Sequence, residues 1–359
     1  MILQYEPLFG NSEAEAVFEY MKTGGWITEY KKTEEFEDRI KTFLGVKYCS
    51  AVNNGTISLS IALLALGIKP GDKVLVPDLT MIATPNAVRL IGAIPVFVDI
   101  DTKLCMDLDR AYVKISEGGI KAVIYVTLNG RCANSKEYDA FLEYCKQKKI
   151  ATIEDSAQSF GSRYDDNALC GNKCDIASFS FSTPKIISTG QGGCLVTNND
   201  ALGLKIEKIK DFGRISGGID IHNEFGINSK FTEIQAVIGI EQIKDIDRRI
   251  ARKIDIYDKY LEGIGNVVEI IENDESVVPW FVDIYIPNKA KLKEYLFGQG
   301  IGTREVYPPI HSQKVYLGTE EYPVTNEYSN SGLWLPSSFN LTNKDIKFIC
   351  SKIKEFYNA

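Results

Sequence analysis

Ser178-Phe-Ser-Phe-Ser-Thr-Pro-Lys185-Ile-Ile-Ser-Thr-Gly-Gln-Gly-Gly-Cys-Leu-Val-Thr197 is the stretch on which the fold turns. Two strand-like runs, Ile176–Phe181 and Gly193–Thr197, flank one lysine in a Ser/Thr/Gly-rich turn. A lysine so placed sits where a β-rich core ends and polar backbone begins, within reach of a buried ligand. Lysine is also the side chain that forms a Schiff base with a carbonyl. Taken alone, a loop lysine reads just as well as a solvated surface group. What precedes it decides.

Working outward, the chain alternates. Glu34–Leu44 has the period of an amphipathic helix stopped by Gly45, and Thr56–Leu66 is helical up to Gly67. Lys73–Val76 is a short buried strand stopped by Pro77. Thr80–Ile91 is helical in period, with Pro85 marking either a kink or a first turn. Strands follow at Ile94–Ile100 and Ala122–Leu128, then a helix at Ser135–Lys148 and a strand at Ile150–Glu154. Apolar strands alternating with helices imply a mostly parallel sheet covered on both faces, the α/β class. Beyond the lysine, Ala201–Lys210 is helical and Asp211–Asn228 is a Gly-rich loop. One long helix is expected from Thr232 to about Tyr260. The C-terminal part then changes character: strand Val277–Ile286, helix Lys289–Gly300 and a final helix Asn343–Tyr357. Two domains are expected, a large one over 1–245 and a smaller α+β one over 246–359 reached through the long helix.

Composition narrows the function. A length of 359 residues with 44% apolar and 25% charged residues suits a globular protein with a sizeable core. A net charge of −7 leaves no basic footprint for nucleic acid or an anionic membrane. No apolar stretch is long enough for a transmembrane helix and the N-terminus lacks a signal-peptide pattern, so a cytoplasmic location is expected. The eight cysteines are scattered, as buried thiols in a reducing compartment would be. Cys170 and Cys174 have a metal-like spacing, but no second pair accompanies them and the chain holds only His222 and His311, so no metal is expected.

Four pieces fit one cofactor. Asn54-Gly55-Thr56 opens a helix, where free N–H groups and the helix dipole make a phosphate site, or simply a capped end. Glu154-Asp155-Ser156-Ala157-Gln158 follows a strand, at the carboxyl edge where α/β sheets bind ligands. A carboxylate there can keep a pyridine nitrogen protonated, and Gln158 can hydrogen-bond the ring's 3′-oxygen. Ser180, five residues before Lys185, can meet a phosphate while the lysine meets an aldehyde. Phe225-Gly-Ile-Asn228-Ser-Lys-Phe-Thr-Glu-Ile-Gln235 is a loop entering the long helix. Pyridoxal phosphate has these needs: an amine, a ring partner and a phosphate cradle. Each piece by itself is also ordinary turn or cap chemistry.

In this order the pieces resemble the DegT/DnrJ/StrS family, pyridoxal-phosphate-dependent nucleotide-sugar aminotransferases with the aspartate aminotransferase fold. Gly25-Trp26-Ile-Thr28 is similar to the family's N-terminal Gly-Trp segment, and Gly300-Ile-Gly-Thr-Arg304 with Tyr307-Pro-Pro-Ile-His311 to its C-terminal signature. The resemblance implies Lys185 as the Schiff-base lysine, Asp155 as the pyridinium partner and Gln158 as the 3′-oxygen contact. It gives Gly55, Thr56 and Ser180 to the phosphate. Asn228 would reach the phosphate of a partner subunit, making a homodimer with shared sites. Glutamate is the implied amino donor and a nucleotide-linked keto sugar the acceptor, with Trp26, Arg304, Tyr307 and His311 as sugar-side contacts. Val278-Pro-Trp-Phe281 and the Tyr307–His311 segment most resemble members that aminate C4 of 4-keto-6-deoxyhexoses, giving viosamine- or perosamine-type sugars.

Departures from the family pattern fall at Met81, where an aromatic ring usually stacks on the cofactor, and at Gln191, Lys230 and Phe212. A thioether covers a ring with less area, so looser cofactor retention is expected. Rival readings are a C3 aminotransferase, a sugar 3-dehydratase, in which histidine replaces the lysine, and a non-catalytic regulator on the same fold. Lys185 and the intact Asp155/Gln158 set speak against the last two.

Overall fold

A computed structural model describes residues 1–358. Helices α1 (Asn11–Lys22) and α2 (Lys31–Leu44) come first, α2 burying Phe36, Ile40 and Leu44 at helical spacing. The alternation then runs β1 (Tyr48–Val52), α3 (Gly55–Ala65), β2 (Lys73–Pro77), α4 (Ala83–Leu90), β3 (Ile94–Val98), α5 (Leu108–Ser116) and β4 (Ile120–Val126). It continues with α6 (Ser135–Gln147), β5 (Ala151–Asp155), β6 (Ile176–Ser180), β7 (Gly193–Thr197) and α7 (Asp200–Lys210). Pro85 lies in the first turn of α4, where its missing N–H costs nothing. Strand β1 and helix α5 are additions to the expected elements.

Seven strands form one sheet in the order β1-β7-β6-β5-β4-β2-β3. Strands β3, β2, β4, β5 and β6 pair in parallel, whereas β7 runs antiparallel to both β6 and β1. The reversal follows from the connection: the turn through Lys185 returns the chain at once, with no crossover helix. Register aligns Val126 with Asp155 and Asp155 with Ser178, then Ser180 with Gly193 and Gly193 with Val52. The carboxyl ends of β4, β5 and β6 and the turn after β6 therefore share one edge. Helix α3 is buried nearly all round, through Leu59, Ile61, Ala62, Leu63 and Ala65 together with Ser58 and Ser60, which fixes its N-terminus at that edge.

Helix α8 (Glu233–Lys244) and helix α9 (Ile246–Ile264) replace the single long helix expected. Asp245 breaks it with φ −104° and ψ 16°, and its carboxylate bonds to Arg248 in the first turn of α9. The C-terminal part adds β8 (Asp283–Tyr285), α10 (Lys289–Gly298), β9 (Arg304–Glu305), α11 (Pro323–Ser331), β10 (Gly332–Trp334) and α12 (Asn343–Asn358). A three-stranded antiparallel sheet, β8-β10-β9, lies under α9, α10 and α12 around Ile256, Tyr260, Ile284, Leu292 and Ile349. The strand expected over Val277–Ile286 shrinks to three residues for a specific reason. Val278, Phe281 and Val282 donate their N–H groups to Ser162, Asn129 and Ser337 side chains instead of to a ladder.

Candidate active site

At the sheet edge lies a cavity of about 730 Å3 lined by Gly55, Thr56, Met81, Asp155, Gln158, Ser180 and Lys185, with Asn54, Thr80, Ser182 and Pro184 between them. Its size is ordinary for a small-molecule site. Asn54 caps α3, its Oδ1 accepting from Ile57 N–H at 2.9 Å. The N–H groups of Gly55 and Thr56 stay at the open, electropositive end of the helix. Ser180 lies against that end: a Cβ on Gly55 would stand 3.1 Å from Ser180 Cβ, and one on Gly193 would stand 2.7 Å from the Phe179 carbonyl oxygen. Glycine at 55 thus lets strand and helix close into a cradle of N–H and hydroxyl donors sized for an anion.

Asp155 ends β5 and is buried. Thr84 Oγ1 donates to its Oδ2 at 2.7 Å and Ala157 N–H to its Oδ1 at 3.2 Å, which fixes the carboxylate in the cavity wall. Burial raises its pKa, against the opposing pull of these donors and of Lys185. Lys185 is half-buried, and desolvation of its ammonium lowers its pKa to about 8, with Asp155 pulling it up and Arg304 pushing it down. A lysine so tuned has free amine available near neutral pH. Its Nζ stands 4.3 Å from the centre of the Trp280 ring.

Gln158 is buried with its Oε1 accepting from Asn129 N–H at 2.7 Å and its Nε2 donating to Tyr307 OH at 3.3 Å. Tyr307 therefore joins the site from the C-terminal part, its phenol held neutral by burial. Arg304 stacks over Trp334 and Tyr307, and with Lys289, Lys293 and Tyr307 it borders a second cavity of about 740 Å3. His311 is anchored twice to the buried Asp78: its N–H donates to Oδ1 at 2.8 Å and its Nδ1 stands 2.6 Å from Oδ2. Its Nε2 is left for another partner. Met81 is 43% exposed at the cavity rim, its Sδ accepting from Ala83 N–H.

Arg304, Tyr307 and His311 do not line the first cavity: Arg304 and Tyr307 border only the second, and His311 neither. Two further expected residues lie apart altogether. Trp26 and Asn228 are exposed and line no part of the cavity. Asn228 pairs with Asp211 at the base of the 211–228 loop. Conversely, Thr84 and Asn129 belong to the site and were not singled out by sequence. Asn129 has φ 56°, buried, and its Nδ2 and Oδ1 clasp the Phe281 carbonyl and N–H at 2.9 and 2.7 Å. The Asn129-Gly130 dipeptide is the one local signal for such a backbone. Cys170 and Cys174 carry free thiols, Cys170 buried and Cys174 half-buried.

Comparison with known proteins agrees along the whole chain. The DegT/DnrJ/EryC1/StrS aminotransferase family model matches residues 8–354. The GDP-perosamine synthase of Escherichia coli O157:H7 is 33% identical over 361 residues, covering 99% of this chain and 98% of that protein. The UDP-2-acetamido-2-deoxy-3-oxo-D-glucuronate aminotransferase of Pseudomonas aeruginosa is 33% identical over 327 residues, 89% of each chain. Among solved structures, a DegT DnrJ EryC1 StrS aminotransferase from Brucella abortus superposes with a TM-score of 0.90 at 29% identity, over 97% of this chain and 96% of that one.

Proposed function

The chain belongs to the DegT/DnrJ/EryC1/StrS aminotransferase family, and from that premise we propose that it moves an amino group from glutamate to C4 of a nucleotide-linked 4-keto-6-deoxyhexose. The product is a 4-amino-4,6-dideoxy sugar of perosamine or viosamine type. It is a transaminase, and its cofactor is pyridoxal 5′-phosphate. The observation that carries the reading is Lys185, tuned to about 8 and facing Asp155 across a cavity with an anion cradle at one end. The name of the E. coli relative supplies the sugar class.

The residues present fit the cofactor. Gly55 and Thr56 N–H groups and the Ser180 hydroxyl would take the phosphate. Asp155 would take the ring nitrogen, and the Gln158 N–H not used by Tyr307 the 3′-oxygen. When bound, the cofactor supplies an aldehyde for imine exchange and a ring that accepts electrons. The chain does the rest. Lys185 would hold the cofactor's aldehyde, and its free amine would take up and give back a proton at Nζ. Asp155 would hold a proton at the ring nitrogen. Met81, at the cavity rim, would offer the ring a thioether in place of an aromatic face, which suits a loosely held cofactor. Arg304 and Tyr307, at the second cavity, and His311 beside Asp78 would contact the sugar nucleotide from the C-terminal part.

The proposal includes a homodimer with composite sites. Phe18, Met21, Trp26, Ile27 and Tyr30 are exposed near α1, and Ile215, Ile219, Ile221 and Phe225 in the 211–228 loop. Such apolar faces on a water-exposed chain ask for a cover. A second copy would bring Asn228 and Trp26 to the partner's cavity. A cytoplasmic location goes with eight free thiols. Among the described residues, no helix is long and apolar enough to cross a membrane.

The P. aeruginosa relative, named for a 3-oxo substrate, favours one second reading, amination at C3. The test is incubation with pyridoxal phosphate, glutamate and a panel of GDP-, dTDP- and UDP-linked 4-keto-6-deoxy sugars, with a 3-keto sugar nucleotide alongside. Amine product from a 4-keto sugar is expected, together with a borohydride-fixed cofactor adduct on Lys185. Product from the 3-keto sugar alone would move the reading to C3. No adduct and no amine from any acceptor would overturn it.

A further inference from the structure

Trp280 has contacts that the roles assigned so far leave unused. It is buried, and it lines no part of the cavity. Its ring lies behind the cavity wall with Lys185 Nζ over its face at 4.3 Å, and its Nε1 donates to the Pro184 carbonyl at 2.6 Å. The indole is thus tied to the residue just before the lysine while its face receives the lysine's end. The backbone of Trp280 is held from two other elements. Its carbonyl accepts from Lys253 Nζ of α9 at 2.7 Å, and its N–H donates to the Asn129 carbonyl at 3.4 Å. Asn129 also clasps Phe281, whose ring stacks on Trp280 with centroids 3.9 Å apart.

We propose that Trp280 is a positioning residue for Lys185: its indole face is the platform on which the free lysine ammonium rests, aimed at the cavity. The idea rests on Lys185 being the cofactor lysine. An indole presents the strongest aromatic face to a cation, and more so in a dry site. The other charged groups acting on Lys185 are Asp155 from β5, which favours the ammonium, and Arg304 from β9, which opposes it. Asp155 alone would draw the ammonium toward the ring-nitrogen end of the cavity. The platform gives it a second resting place beside Pro184, so that a displaced lysine stays in position to carry its proton.

The test uses cofactor-free protein, so it does not depend on turnover. Acetic anhydride labels free amines, and the peptide carrying residue 185 can be quantified by mass spectrometry between about pH 6 and pH 10. Wild type should label with a midpoint near 8. In Trp280→Leu, which keeps apolar bulk but loses the face, the midpoint should fall by about 0.5 to 1. Trp280→Phe should fall less. Asn129→Gly, which suits a backbone at φ 56°, removes the clasp and should shift the midpoint the same way. In the loaded enzyme, Trp280→Leu should lower kcat about tenfold with KM for the sugar unchanged, and Trp280→Phe should recover part of the loss. An unchanged midpoint in folded Trp280→Leu overturns the platform. Should that variant not fold, unchanged midpoints in both Trp280→Phe and Asn129→Gly overturn it equally. A missing borohydride adduct on wild-type Lys185 would instead refute the cofactor assignment, whatever the midpoints do.

Discussion

Asp155 is a carboxylate held in one orientation by Thr84 and Ala157 and already burdened by burial. Burial makes its charge costly, and a cation sharing the cavity, such as Lys185 or a protonated ring nitrogen, offsets that cost. An amide in its place cannot hold that proton. Asp155→Asn should therefore still form the borohydride-fixed adduct on Lys185, yet lose transamination by roughly 100-fold or more, the cost of a few kcal/mol of transition-state stabilisation. Near-normal turnover in stopped assays would show that Asp155 does not face the ring. Asp155 and Ser180 were legible because each ends a strand whose apolar run marks it, and Gln158 and Lys185 because they lie in the turns that follow those two strands. Asn129 was not, since a left-handed asparagine in a tight turn looks the same in sequence whether it is exposed or buried under another segment. Thr84 was hidden inside a helical period that says nothing about a hydroxyl aimed at a neighbouring strand.

At the scale of elements, the alternation of the large sheet could be read because parallel strands buried on both faces are continuous apolar runs. The reversal of β7 could not, because direction is set by the connection. The break at Asp245 escaped because apolar spacing carries on through it, and only the local cap chemistry interrupts the helix. We propose the 245/246 boundary between two domains from that break and from the separate apolar cluster around Tyr260. Residues 2–6 pack with the second unit, pairing with Gly300, Gly302, Ser337 and Ser338. Helix α9 reaches back through Lys253, whose Nζ donates to the Trp280 and Ser337 carbonyls at 2.7 Å each. Burial lowers its pKa to about 7. Below that pH both folded and unfolded chains are protonated, and the folded state bears the full desolvation penalty. Between about 7 and the ordinary lysine value, the unfolded chain binds a proton the folded one has released, so stability climbs with pH. Lys253→Met should flatten that climb by up to ~1.4 kcal/mol per pH unit. Denaturant unfolding of both proteins between about pH 6 and pH 10 reads the difference directly, and parallel curves would mean Lys253 is not desolvated as described.

For the whole molecule, the decisive question is whether one chain holds a complete site. Asn228 is exposed at the base of the 211–228 loop, outside its own cavity, with apolar side chains of the same loop open to solvent. An amide there can donate to a phosphate only in another copy. Asn228→Asp replaces that donor with a carboxylate, which loses a hydrogen bond and adds like-charge repulsion, so cofactor retention should weaken. Lys185→Ala removes the amine. In the proposed homodimer each variant alone should then be impaired for a different reason. In a mixed dimer, one site takes wild-type Lys185 from one chain and wild-type Asn228 from the other, while the second site carries both defects. Random re-pairing of equal amounts makes about half the dimers mixed, each with one intact site, so activity should return to roughly one quarter of wild type. Subunit exchange is followed independently by native mass spectrometry of a tagged chain. If exchange is complete and the mixture stays inactive, Asn228 serves its own chain and the shared site does not exist.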